Sequence, residues 1–147
     1  MLFIAIFLLH LNFTYSQVIR LSYAQKKEIL EKHNFYRKQF KNNNLIWSEE
    51  LESKAITWLK YIEKNPLLNI NTYNYEQNMA FLIDTNINKA VFNWIREQVF
   101  YSSLDDSAQL YLYQHFYRMI NPNLKKIGCA FLEKDIKYYI LLCFYSK

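Results

Sequence analysis

Glycine is nearly absent from this chain. Gly128 is the only one in 147 residues, and proline occurs twice. The glycine-flanked elbow that presents a nucleophilic serine cannot be built here, so Ser102, Ser103 or Ser107 acting with His115 is not a hydrolase arrangement. Histidine is scarce too, with His33 and His115 the only two beyond His10. A zinc centre needs three or four suitable side chains, and these two supply little towards it. Cys129 and Cys143 are the only cysteines, which leaves room for one disulfide. Basic residues cluster only in pairs (Lys26-Lys27, Arg37-Lys38, Lys125-Lys126), so the net charge of +5 reads as solvated helix faces. No nucleic-acid partner is expected.

What is abundant is apolar and aromatic surface: 52% hydrophobic residues and 18% aromatic ones, too much for a disordered chain. The length suits a single domain with a real core. Residues 1–16 hold an apolar run from Leu2 to Leu11, well short of the ~20 residues that span a bilayer. Thr14 and Ser16 fall at −3 and −1 of a signal-peptidase cut before Gln17. Residues 1–16 therefore read as a secretory signal and 17–147 as one extracellular domain with no transmembrane anchor. The signal lacks Asp, Glu, Lys and Arg, so the whole formal charge belongs to 17–147. The one glycosylation sequon, Asn12-Phe13-Thr14, lies within it.

Ser22 with Gln25 is a capping box, opening a helix whose stripe is Ile29, His33, Tyr36 and Phe40. Asn42-Asn43-Asn44 breaks it. Ser48 caps a second helix, with Glu49 and Glu50 in the first turn and Leu51, Ala55, Trp58 and Ile62 buried. Asn65-Pro66 ends that helix, and residues 67–75 read as loop. Gln77–Ile83 is a short strand. Asp84 or Thr85 opens a third helix carrying Ile87, Val91, Trp94 and Tyr101. Ser102–Ser107 is a polar break, and Ala108–Ile120 is a last helix stopped at Asn121-Pro122.

The most strand-like runs follow, Lys126–Glu133 and Ile136–Tyr145, with Lys134-Asp135 as the turn. Both are apolar at nearly every position, the mark of strands covered on both faces. Helices that cover such a hairpin imply an α+β fold, a three-layer α-β-α sandwich. Each strand carries one cysteine. A turn centred on Ile136 makes them cross-strand neighbours, whereas one between Lys134 and Asp135 offsets them by three; both registers stay open.

Several segments, in order, resemble the CAP superfamily, the SCP/TAPS domain of cysteine-rich secretory proteins, antigen 5, pathogenesis-related 1 and worm venom-allergen-like proteins. His33-Asn34-Phe35-Tyr36-Arg37 matches H-N-x-x-R, followed by Leu45 and Trp47. Gln77-Asn78-Met79-Ala80 resembles G-[EQ]-N-[LI]-A. Ala90, Trp94, Glu97 and Tyr101 match A-x-x-x-W-x-x-E-x-x-x-Y. His115-Phe116-Tyr117 resembles G-H-[YF]-T, and Ile127-Gly128-Cys129-Ala130 and Cys143-Phe144-Tyr145 resemble I-G-C-A and C-N-Y.

The resemblance implies a cleft of two histidines and two acids, which in some members binds a divalent metal. Glu97 and His115 match it, and Gln77 stands at the first acid position. Glu76 replaces the motif's glycine, Gln114 replaces the glycine before His115, and Asn121 the tryptophan after it. The other histidine has no counterpart in 59–75, where Asn69, Asn71 or Asn74 would stand. No catalytic residue or specific metal site is therefore assigned; at most His115, with Glu97, holds a divalent metal weakly. His33, on an apolar stripe, is expected to be structural. Tyr111, Tyr113, Phe116 and Tyr117 suit either a groove mouth or packing of the last helix. The resemblance implies a non-enzymatic binding protein for a sterol, fatty acid or other lipid, or for a host protein. The alternative is a metal-dependent, hydrolase-like cleft enzyme using Glu97 and His115.

Overall fold

The computed structural model describes residues 16–65, 75–103, 107–134 and 138–147. Its centre is the antiparallel pair β4 (Lys126–Lys134) and β5 (Tyr138–Ser146), buried at every position from Ile127 to Leu132 and from Tyr139 to Tyr145. Alternation along the strands divides this apolar run between two layers. Ala130, Leu132, Ile140, Leu142 and Phe144 pack against one helix, α2 (Glu49–Lys64). Ile127, Cys129, Phe131, Leu141, Cys143 and Tyr145 pack against α1 (Tyr23–Gln39), α3 (Ile87–Arg96) and α5 (Gln114–Ile120). The result is the expected α-β-α sandwich.

The sheet runs β1-β4-β5-β3, with β1 (Ser16–Ile19) and β3 (Glu76–Leu82) antiparallel to their neighbours. The short β2 (Ile46–Trp47) pairs in parallel with Lys126 and Ile127 of β4. Neither β1 nor β2 was expected from the sequence. Both are too short to show an alternation of their own, and they exist by pairing with β4.

The hairpin register differs from the expected turn. Lys134 belongs to β4 and pairs with Tyr138, which centres the hairpin on position 136. Cys129 then faces Cys143, and the two form a buried disulfide with Cα atoms 4.0 Å apart. Gly128 lies under the start of α2. A Cβ there would meet the Glu52 amide nitrogen at 2.3 Å and the Ser48 carbonyl at 2.6 Å, so only glycine admits this approach.

The first two helices form as their caps dictate. Ser22 Oγ accepts from the Gln25 amide while Gln25 Oε1 accepts from the Ser22 amide. Ser48 Oγ accepts from the Leu51 amide. Glu52, one turn into α2, is fully buried, accepting from Lys26 Nζ at 2.5 Å and Trp47 Nε1 at 3.0 Å. Burial raises its pKa, but the Lys26 and Trp47 contacts outweigh this and hold it below the ordinary value.

Later elements depart from expectation. The third helix is capped by Asn86, not Asp84 or Thr85, and it ends at Glu97. There the chain tightens, the Glu97 amide donating to the Trp94 carbonyl, and α4 (Gln98–Ser103) follows. Tyr101 thus sits on a separate helix, and Ser102 and Ser103 are helical rather than part of a polar break. The last helix is also divided, into a 3-10 helix over Ser107–Leu112 and then α5. The loop expected over 67–75 lies outside the described residues up to position 74. Among the described residues no helix is long and apolar enough to cross a membrane.

Candidate functional site

Glu97 and His115 meet where the end of α3 approaches the start of α5. The imidazole Nδ1–H donates to Glu97 Oε1 at 2.7 Å. The other carboxylate oxygen, Oε2, accepts from the backbone amides of His115 (2.9 Å) and Phe116 (3.1 Å). Helix α5 has no side-chain cap of its own at Tyr113. Glu97 supplies that function from another element, satisfying two amides that the helix leaves without intrahelical acceptors. Trp94, one turn before Glu97, stacks on the His115 ring at 6.1 Å and 12°. Trp94 also meets the His33 ring edge-on at 6.4 Å. The pair is part exposed, with 28% of the His115 side chain and 20% of the Glu97 side chain accessible.

Behind it runs a buried polar chain. His33 Nδ1 lies 2.7 Å from the Ile29 carbonyl, which can only accept, so Nδ1 carries the proton. Nε2 then accepts from the Tyr145 hydroxyl at 2.9 Å. That hydroxyl in turn accepts from Asn78 Nδ2 at 3.1 Å, and Asn78 Nδ2 also reaches the His115 carbonyl at 3.0 Å. Burial drives the His33 pKa from 6.5 down to about 4, opposed by the bond to the Ile29 carbonyl and aided by the charge of Arg37. Burial likewise raises the Tyr145 phenol. His33 is structural, as expected from its place on the stripe.

Gln77, the third candidate, is half-buried on β3, opposite Phe144. The regular register sets it on the side of Met79, which packs with α2, while Asn78 falls on the side of Glu97 and His115. Asn78 is therefore the β3 residue in direct contact with the His115 backbone. Its role, like that of Tyr145, was not read from sequence, although a buried Asn and Tyr in apolar strands was the available signal. Asn69, Asn71 and Asn74 lie outside the described residues.

A tetrahedral zinc centre does not fit this donor set. Both Glu97 oxygens and His115 Nδ1 are engaged with one another or with backbone, which leaves Nε2 of one imidazole. Among the described residues no three His, Cys, Asp or Glu side chains converge to hold a metal ion. Beside Glu97 a cavity of about 390 Å³ is lined by Asn93, Arg96, Val99 and Phe100 as well. A smaller one, about 230 Å³, lies among Phe40, Tyr101, Tyr117, Ile120 and Pro122, with Asn42 and Asn121 at its polar side. The aromatic residues around His115 divide. Phe116 and Tyr113 are buried, Phe116 packing edge-on against Tyr36, Phe40 and Tyr101, whereas Tyr111 and Tyr117 are exposed.

Residues 30–145 match the model of the cysteine-rich secretory protein family, CAP. A venom allergen 5 of Polistes dominula is 24% identical over 151 residues, covering 83% of this chain and 66% of the allergen. The chain thus spans just under two thirds of that relative. Among solved structures, a hookworm platelet inhibitor superposes with a TM-score of 0.66 at 20% identity, covering 89% of this chain and 73% of its own. Venom allergen-like protein 4 of Schistosoma mansoni gives 0.57 at 20% identity, covering 86% and 90%. The family match, which extends from the first helix to the end of the central hairpin, shows that this chain belongs to the cysteine-rich secretory protein (CAP) family.

Proposed function

We propose that this chain is a secreted, non-enzymatic binding protein whose ligand is a sterol, a fatty acid or a protein of another organism. One observation carries the reading: the carboxylate of Glu97 is committed to structure. A general acid or base must exchange protons with a substrate. Glu97 instead caps α5 through one oxygen and orients the imidazole through the other. What stands open beside it is a cavity whose lining includes the apolar side chains of Val99 and Phe100, with Asn93 and Arg96 as polar neighbours. Apolar side chains set beside polar and charged ones suit an amphipathic small molecule. The likeness to the hookworm platelet inhibitor keeps a protein target within the same reading.

The test is equilibrium binding of a labelled sterol and a long-chain fatty acid to the secreted protein, with and without a chelator. Saturable binding that the chelator leaves unchanged is the expected result. Binding lost with the chelator, and lost in His115→Ala, would overturn it in favour of a metal-dependent cleft. Absence of lipid binding would narrow the proposal to a protein ligand.

A further inference from the structure

We propose that the cavity beside Glu97 takes an amphipathic anion, an apolar body ending in a carboxylate or phosphate, with Arg96 holding the charged end. This deepens the lipid-binding reading above and rests on it, adding the class of head group. Asn93, Arg96 and Glu97 follow one another at helical spacing along one face at the end of α3. The tightening of the chain at Glu97 then brings Val99 and Phe100 of α4 to the same cavity of about 390 Å³.

Two charged side chains line the cavity, and they are differently placed. Glu97 keeps both oxygens on α5, where the His115 and Phe116 amides and the imidazole N–H meet them. Arg96 has no such partner. Among the described residues its guanidinium makes no ion pair and no hydrogen bond, and the Asn93 side chain makes none either. A cation suits the last turn of α3 through the helix dipole, yet that attraction leaves the planar fork of N–H donors open. A carboxylate or phosphate fits such a fork bidentately. The wall beside it is apolar: Val99 is 71% and Phe100 44% exposed, and Phe92, one turn before Arg96, is 58% exposed. A chain laid over these side chains removes apolar surface from water, which supplies most of the affinity. The ion pair, open to water, supplies less, and its part is to choose the head group. A free sterol, whose polar group is a neutral hydroxyl, has no charge to offer Arg96.

The experiment is equilibrium binding of dodecanoate, dodecyl phosphate, dodecanol and cholesterol, all below their aggregation limits, to the secreted protein. Wild type should bind the two anions roughly five- to tenfold more tightly than dodecanol, between what an exposed ion pair and a charge-assisted hydrogen bond provide. Arg96→Gln keeps a polar side chain at an exposed position, and it should abolish that preference while leaving dodecanol affinity and the thermal midpoint unchanged. Val99→Asp, also at an exposed position, should weaken all the dodecyl probes together and so place them in this cavity. Equal affinity for anion and alcohol in wild type, a preference that survives in Arg96→Gln, or binding of cholesterol alone overturns the inference while lipid binding stands. Dodecyl binding untouched by Val99→Asp overturns the assignment to this cavity. No saturable binding of any probe overturns the inference together with the lipid branch of the reading above.

Discussion

The Tyr145 hydroxyl donates to His33 Nε2 at 2.9 Å, joining the end of β5 to the middle of α1 through a wholly buried contact. The same hydroxyl accepts from Asn78, and Asn78 holds the backbone of His115. Four sequence motifs that are far apart in the chain thus form one hydrogen-bonded unit. Its parts are mutually dependent, since each buried polar group would be costly without its neighbour.

The unit makes stability depend on pH. His33 must be neutral to accept from Tyr145, and its pKa is lowered from 6.5 to about 4, burial being the main cause. Between those values the unfolded chain binds a proton that the folded chain refuses, so stability rises with pH across the window. The contribution is complete above pH 6.5 and fades as pH falls towards 4, by about 3 kcal/mol. Urea midpoints taken at pH 7, 5.5 and 4.5 should decline accordingly. His33→Gln, which retains a donor and an acceptor, should flatten the slope even as it lowers the plateau. An unchanged slope in that variant would assign the effect elsewhere. Glu52, with its lowered pKa, adds an acid-labile contribution that is lost as pH falls below the ordinary carboxylate range.

Arg37 is the second fixed point of the first motif. It is fully buried and donates to the carbonyls of Asn43 (2.7 Å), Met119 (3.1 Å), Asn121 (2.9 Å) and Leu124 (2.8 Å). These include carbonyls at the end of α5 that lack intrahelical donors. Lysine offers a point charge in place of the planar fork and cannot reach all four. Arg37→Lys should cost roughly 2–4 kcal/mol in equilibrium unfolding, with faster amide exchange in the turn after α5. Wild-type stability in Arg37→Lys would mean that these carbonyls find other donors.

The fold was legible where local chemistry was unambiguous. The Ser22 and Ser48 caps, the α1 and α2 stripes and the doubly buried hairpin all stand where the residues placed them. Elements that depend on a partner were not. Ile46–Trp47 is a strand only because Lys126 and Ile127 lie beside it, and Ile87–Ser103 keeps its helical periodicity across a break at Glu97. The hairpin register turned on one residue of loop, which periodicity cannot resolve. In the site, the motifs drew attention to Glu97 and His115, but not to the capping of α5. A cap made from 18 positions away leaves no local trace.

Gly128 and the disulfide give two independent checks on the sheet. In Gly128→Ala the new Cβ collides with backbone atoms of α2, which cannot rotate away as a side chain would. A loss of about 2–3 kcal/mol is expected by thermal or chemical denaturation. Replacing both Cys129 and Cys143 by Ala, a pair 14 positions apart, should cost about 3 kcal/mol if the main effect is on the unfolded chain. Reduction of the native protein should be slow, because both cysteines are fully buried.

Glu97 separates the binding reading from the enzymatic one. Glu97→Ala leaves two α5 amides and the His115 ring N–H without their acceptor, and should cost about 2–3 kcal/mol. Glu97→Gln keeps one oxygen, enough to go on capping α5. Its amide nitrogen then faces His115 Nδ1, which must become the acceptor, so the ring proton moves to Nε2. Nitrogen-15 chemical shifts of the imidazole should report that change of tautomer. Stability should fall by about 1 kcal/mol, the difference between a charge-assisted and a neutral bond. Ligand affinity should be unchanged if the carboxylate acts only as a cap and an orienting group. A Glu97→Gln protein that folds normally but loses its ligand, or loses a measured turnover, would make the carboxylate a working group and return the site to the metal-dependent enzyme reading.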